Sequence, residues 1–226
     1  MNQQEYVQTG GLTKFYSKVY GFVGLGVAIS AVTAYLASTV FWYQVAPLLS
    51  NRIMFFGLWI AQLALVVNLS KNAVQEKGNS LVGYIGYSVL TGITLSVTLK
   101  LYTAESITAA FLTASVTFAV MAVVGVVIKK DLSAVGHALY SLVLGIIIAS
   151  LLNFFILKSS PVEMFISYAM VLVFSGLVAY DNQKIKAIYY QAGVEPSNNI
   201  AIYCALSLYL DLINLFYAFL RIFGRD

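Results

Sequence analysis

The sequence predicts an all-α polytopic membrane protein, and its composition carries that prediction. Of the 226 residues, 60% are hydrophobic and only 10% are charged, whereas a soluble domain is about 45–50% apolar and about 25% charged. The mean hydropathy of +0.85 leaves too few polar groups for a water-facing surface, and the low charge argues against disorder. A single cysteine and a single histidine exclude a disulfide framework and a His/Cys zinc cluster. The net charge of +4 gives no reason to expect nucleic acid as a partner.

Stretches without charge map the membrane spans, because ionised side chains are costly inside a bilayer. A bilayer core about 30 Å thick needs about 20 apolar residues per helix. Six charge-free stretches meet this need, and a seventh apolar stretch holds one acid. None alternates as a β-barrel strand of about 10 residues would. We predict spans at about 20–41, 53–70, 79–99, 106–128, 133–157, 163–189 and 199–220.

These spans form a single transmembrane domain over 19–220, between an N-terminal segment at 1–18 and a C-terminal tail at 221–226. Lys and Arg favour the cytoplasmic side of a membrane. The N-terminal segment and the loops on its side carry eight of the 13 Lys and Arg residues, so we expect a cytoplasmic N-terminus. Seven spans then place the C-terminus outside, whereas a last segment that dips in and returns would place both ends in the cytoplasm.

Two of the nine acidic residues lie within apolar stretches. Asp211 is in the middle of the last span, and Asp181 follows the run YAMVLVFSGLVAY. An Asp at the centre of a helix costs about 2.5–3.5 kcal/mol on insertion scales, so it indicates a partner or a use. Antiparallel neighbouring helices would place the two carboxyls at similar depths, roughly 14 Å and 18 Å from the helix ends. In such surroundings two close carboxyls cannot both ionise easily, and they tend to share a proton.

The same pair is a candidate cation site. Calcium takes 6–8 oxygen ligands, which Asp181, Asp211, Asn214, backbone carbonyls and water could supply. Ser207 and Asn214 lie on the same face of the last helix as Asp211 and are candidates for polar groups that support the site. Both are also explained as side chains that form hydrogen bonds between helices. Asp181 could instead be an ordinary acid at a helix end, paired with Lys184 or Lys186, and Asp211 a purely structural hydrogen-bonded acid.

Four segments make the sequence similar to a known family. They are VAYDNQKIK around Asp181, SLYLDLINLF around Asp211 with the terminal LRIFG, KKDLS at Lys129–Ser133, and VGY…GITL from Val82 to Leu95. From about residue 15 onwards, the chain closely resembles the Bax inhibitor-1 family, the transmembrane Bax inhibitor motif proteins. It looks like a bacterial member, since it lacks the lysine-rich cytoplasmic tail of animal members.

The resemblance implies a seven-helix bundle with the last helix central, and a calcium leak that depends on pH. It implies that Asp181 and Asp211 form a hydrogen-bonded pair acting as pH sensor and gate. In some members an arginine latches onto the pair, and that position falls on Lys77, which keeps the charge but lacks the bidentate fork. Lys77 is also explained as a loop charge on the cytoplasmic side.

We therefore expect a calcium leak channel of the bacterial plasma membrane, with the lipid bilayer, calcium and protons as partners and no cofactor. Two other functions remain open. A regulator that binds other membrane proteins, such as a quality-control protease, would transport nothing. An intramembrane aspartyl protease would use two aspartates on successive helices, but the chain has neither Gly-x-Gly-Asp nor Pro-Ala-Leu, so we do not expect an enzyme.

Overall fold

The structure, a computed structural model, describes residues 3–193 and 195–224, without the side chains of residues 3–9 and 52. It confirms the all-α prediction, since these residues form eight α-helices, one π-helical turn and no strand. Seven of the helices are long and apolar enough to cross a membrane. The helices are α1 (Gln3–Thr39), α2 (Trp42–Ser50), α3 (Arg52–Val74), α4 (Ser80–Leu101), α5 (Ala104–Val127), α6 (Ser133–Leu152), α7 (Ser160–Ala192) and α8 (Asn198–Phe223).

The two predicted terminal segments overlap only partly with these residues. Positions 1–2 of the segment at 1–18 and positions 225–226 of the tail at 221–226 lie outside the description. The helix α1 begins at Gln3, well before the predicted start of the first span at residue 20. Lys14 and Lys18 mark where the charge-free stretch begins, but the helix continues through both of them, because Lys is a good helix former.

Short polar side chains begin three of the helices. The first N–H groups of a helix have no partner within it, so a side-chain oxygen just before the helix stabilises its start. Asn51 accepts hydrogen bonds from two backbone N–H groups of α3. Asn79 does the same for one N–H group of α4, and Thr103 for one of α5. These caps place the starts of the helices more sharply than hydropathy does.

A π-helical turn at Asn153–Leu157 continues α6. The Lys158 N–H donates to the carbonyl of Asn153 at 2.7 Å, and Lys158 has a left-handed backbone with φ of 47°. The Asn153 side chain accepts from the Ser159 N–H at 3.0 Å and donates to the Ser159 carbonyl at 3.1 Å. This side chain therefore supports the sharp change of direction that ends the predicted span at 133–157.

The chain divides into two compact units, of which the first comprises Met1–Tyr102 and Ile188–Tyr209. Hydroxyl groups connect its helices. The Ser30 Oγ lies 2.6 Å from the Tyr209 hydroxyl and 2.8 Å from the carbonyl of Ser88, to which it donates. The Tyr84 hydroxyl donates to the carbonyl of Phe22 at 2.9 Å. These bonds join α1, α4 and the first part of α8.

The second unit comprises Thr103–Ala187 and Leu210–Asp226. It contains α5, α6, most of α7 and the second part of α8. Glycines allow its helices to approach closely, since a Cβ at Gly136 would lie 2.5 Å from the Tyr180 ring, and one at Gly176 would lie 2.7 Å from Leu139. Of the seven spanning helices, α8 is the most buried, with 61% of its most apolar stretch inside the protein; its central position in the bundle stays a prediction.

Candidate functional site

Asp181 on α7 and Asp211 on α8 are both buried within membrane-spanning helices. Asp181 is 2% exposed and Asp211 is 4% exposed, and both belong to the second unit. Across the described part of the chain, they are the only buried residues whose side chain carries a carboxyl, amino, guanidinium or imidazole group. The two acids that the sequence singled out therefore lie where an isolated charge is most costly.

The two carboxyl groups have different surroundings. The hydroxyl of Tyr140, on α6, donates to Asp181 Oδ1 at 3.2 Å. Lys184, one turn further along α7, attracts the ionised form of Asp181. The buried Oδ2 of Asp211 has no hydrogen-bond partner among the described residues. The pair is therefore asymmetric, with a donor on the first acid and an unsatisfied oxygen on the second.

The two carboxyls are close enough to act on each other electrostatically. Two negative charges in surroundings of low dielectric repel each other more strongly than they would in water. A proton bound by one of them removes that repulsion. Direct sharing of the proton through a hydrogen bond between the two acids stays a prediction.

Close packing of α5 and α6 on α7 positions Asp181. Gly125 on α5 faces the backbone carbonyl of Ala179, and Gly136 on α6 faces the ring of Tyr180. A side chain at either glycine would overlap α7, so both helices reach this part of α7 only because the residues are glycines. The ring of Tyr140 contacts the Tyr180 ring edge to face, with centroids 6.1 Å apart. Tyr140 is thereby held beside the carboxyl that it bonds.

Gln183 holds the loop between α5 and α6 to α7, just beyond Asp181. Its Nε2 donates to the carbonyl of Lys130 at 2.9 Å, and its Oε1 accepts from the N–H of Leu132 at 2.8 Å. Both backbone groups belong to the KKDLS segment. One amide side chain therefore satisfies two loop groups and fixes the start of α6 relative to α7.

Three further residues were predicted to belong to the site. Lys77 is exposed in the loop between α3 and α4, within the first unit. Asn214 donates to the carbonyl of Leu210 on its own helix at 2.8 Å, and Ser207 is half-buried in the first unit. The latch role of Lys77 and the supporting roles of Ser207 and Asn214 stay predictions.

A calcium site at the pair also stays a prediction. Among the described residues, no group of three or more His, Cys, Asp or Glu residues could hold a metal ion. Calcium takes 6–8 oxygens, so Asp181 and Asp211 would need hydroxyl, carbonyl or water oxygens beside them.

Sequence reasoning missed two residues of this region, Tyr140 and Gln183. Their partners are 41 residues away for Tyr140 and 51 and 53 residues away for Gln183. The available signal was the one tyrosine inside the apolar stretch at 133–157, and an amide two positions after Asp181. Neither signal identifies its partner without the packing of the helices.

Comparison with known proteins agrees with the resemblance noted in the sequence. The family described as "Inhibitor of apoptosis-promoting Bax1" matches residues 12–226. The chain is 41% identical to the uncharacterized protein YrjE of Lactococcus lactis over 218 residues, which are 96% of this chain and 93% of that protein. It is also 41% identical to the inner membrane protein YbhL of Escherichia coli over 222 residues, 95% of this chain and 93% of that protein. The chain therefore belongs to the Bax inhibitor-1 family, as a membrane protein with bacterial relatives.

Proposed function

We propose that this protein is a pH-sensitive cation leak channel, with calcium as the permeant ion and the Asp181/Asp211 pair as its gate. One observation supports the proposal above all others: two interacting carboxyls are buried in spanning helices, and one oxygen of Asp211 has no hydrogen-bond partner among the described residues. A purely structural acid would be expected to have its oxygens satisfied. Burial of this kind lowers stability, so a function explains it better than packing does.

The gate works through the charge of the pair. Loss of the bound proton leaves two buried negative charges, whose repulsion and demand for hydration favour separation of the two carboxyls and entry of water. Those charges also attract a cation into a region that is otherwise apolar. Because one proton decides between the two states, the flux of cations depends on pH.

Purified protein in liposomes that contain a calcium-sensitive dye tests this function. We expect calcium entry above that of empty vesicles, with a rate that varies across a pH series. In Asp211→Asn, which keeps the size of the side chain but cannot ionise, the rate should no longer vary with pH. Asp131→Asn is the matched control, since Asp131 is an acid outside the spans, and it should keep the pH dependence.

Absence of flux at every pH, in protein shown to be folded, would overturn the proposal. Together with a membrane protein that co-purifies with the chain, that result would instead favour a regulator that transports nothing. Flux that varies with pH equally in wild type and Asp211→Asn would support a channel but remove the aspartate pair as its gate.

We also propose that the protein lies in the bacterial plasma membrane with its N-terminus in the cytoplasm. The distribution of Lys and Arg supports this orientation, and the relative YbhL is named an inner membrane protein. The buried Cys204 is the only cysteine, so Cys204→Ala gives a background for single cysteines. In intact cells, an impermeant thiol reagent should label Lys158→Cys but not Lys129→Cys, and the reverse pattern would overturn the orientation.

A further inference from the structure

The contact between Tyr140 and Asp181 makes the two acids of the pair unequal. The Tyr140 hydroxyl donates to Asp181 Oδ1 at 3.2 Å, which is longer than the usual O–H···O distance of about 2.7–2.8 Å. A hydroxyl that donates to a carboxylate favours the ionised form over the protonated form. Asp211 Oδ2 lacks any such donor among the described residues.

The charged and titratable groups around Asp181 point the same way. Lys184 on the same helix attracts a negative charge on Asp181, whereas Asp211 on α8 repels it. Besides Tyr140, α6 carries only His137 as a titratable side chain near this level, one turn earlier and exposed. The acid of α5 is Glu105, at the opposite end of that helix. The loop before α6 adds Lys129, Lys130 and Asp131, all of which are exposed.

Burial makes the difference between the two acids matter. A buried carboxylate oxygen without a hydrogen bond is far more costly when the group is ionised than when it is protonated. Asp211 has such an oxygen, and Asp181 has both a hydroxyl donor and a nearby ammonium group. The least costly state with one negative charge therefore places that charge on Asp181.

We propose that Tyr140 is a positioning residue that fixes the negative charge on Asp181 and leaves the proton of the pair on Asp211. This inference rests on the proposed function, because it takes the Asp181/Asp211 pair as the pH-sensitive element of the protein. It adds the direction of the asymmetry: Asp211 is the acid that takes up and releases the proton, and Asp181 is the fixed charge that it faces.

Infrared spectroscopy of the purified protein tests the assignment directly, because a protonated carboxyl has a C=O band that a carboxylate lacks. At neutral pH we expect a protonated band in wild type that persists in Asp181→Asn and disappears in Asp211→Asn. The opposite pattern, with the band lost in Asp181→Asn and kept in Asp211→Asn, would overturn the proposal.

The role of Tyr140 is tested in the Asp211→Asn background, where Asp181 titrates alone. Adding Tyr140→Phe should move the titration midpoint of the Asp181 band upward by about one pH unit, a tenfold change in proton affinity. Tyr180→Phe is the matched control, because it also removes one tyrosine hydroxyl, from the ring that packs against Tyr140. The hydroxyl that donates to Asp181 is that of Tyr140, so the control leaves this hydrogen bond in place. It should leave the midpoint unchanged.

A midpoint unaffected by Tyr140→Phe, or moved equally by Tyr180→Phe, would overturn the role of Tyr140. This readout needs no ion flux. Protein that shows the expected infrared bands but no calcium entry would therefore contradict the channel and support the charge assignment. Normal pH-dependent flux together with a midpoint that Tyr140→Phe does not move would support the channel and contradict the role of Tyr140.

Discussion

Gly125 on α5 lies directly against the backbone carbonyl of Ala179 on α7, two residues before Asp181. Backbone cannot move aside as the end of a flexible side chain can. The absence of a Cβ at Gly125 therefore sets the distance between α5 and α7 at the level of the buried acids. The same contact couples the packing of the second unit to the environment of Asp181.

We predict that Gly125→Ala lowers the free energy of unfolding by about 1–3 kcal/mol, as overpacking commonly does. The added methyl group would force α5 away from α7. Gly145→Ala on α6 is the matched control, since a Cβ there meets no atom within 4 Å, and alanine is the better helix former by about 1 kcal/mol. Thermal unfolding in detergent should show a loss for the first variant and none for the second, and equal losses would contradict this account of the contact.

Asp211→Leu should keep or improve stability while removing the response to pH. It replaces a buried carboxyl, whose Oδ2 has no hydrogen-bond partner among the described residues, by an apolar side chain. We expect the free energy of unfolding at neutral pH to stay the same or rise by about 1–3 kcal/mol, the cost of an unsatisfied buried group. Calcium flux should become independent of pH.

Asp181→Leu provides the comparison, because it breaks the hydrogen bond from Tyr140. It should be less stable than Asp211→Leu when both are unfolded under the same conditions. If Asp211→Leu proves the less stable of the two, the carboxyl of Asp211 has a stabilising partner and is not held for function alone.

The membrane spans were predictable because the hydrocarbon core of a bilayer excludes charged side chains. Each span therefore appears in the sequence as a charge-free stretch of about 20 residues. The prediction of seven spanning helices is confirmed, including α8, in which Asp211 interrupts the apolar run. The short α2, with Pro47 inside it, was not predicted, since nine residues are too few for a periodic pattern. The π-helical turn at Asn153–Leu157 was missed for a related reason: it differs from an α-helix in hydrogen bonding and not in composition.

The acids of the site were predictable and their partners were not. Asp181 and Asp211 are conspicuous because a charge in an apolar run is rare and costly. The donor to Asp181 depends on which face of α6 meets α7, and that is decided by the glycines at Gly136 and Gly176. An apolar helix offers no hydrophobic stripe from which to read that face, because lipid and core are both apolar.

Gln183 should control the mobility of the loop before α6. In Gln183→Leu the carbonyl of Lys130 and the N–H of Leu132 both lose the side chain that bonds them. Gln183→Glu can still accept from Leu132 but cannot donate to Lys130 when it is ionised. Hydrogen exchange at the Leu132 amide should be fastest in the Leu variant and nearer to wild type in the Glu variant. Equal exchange in all three proteins would show that other contacts hold the loop.

Asp131 should stabilise the start of α6 at neutral pH and lose that effect in acid. Its Oδ1 accepts from the N–H and the hydroxyl of Ser133, at 2.9 Å and 2.7 Å, and these bonds hold the pKa of Asp131 below its ordinary value of 3.8. A carboxyl with a lowered pKa in the folded state contributes stability above the pKa of the unfolded state, and that contribution disappears as pH falls through the folded value.

Asp131→Asn is the matched control, because its amide oxygen can accept the same bonds without titrating. Wild type should be slightly more stable than this variant at neutral pH, since the ionised side chain is the stronger acceptor and also lies near the N-terminal end of the α6 dipole. The difference should be small because Asp131 is fully exposed and screened by solvent. Thermal unfolding of both proteins from neutral pH to below about pH 3 should show the two curves converging in acid. A difference that grows as the pH falls would mean that the charge on Asp131 is unfavourable in the folded protein.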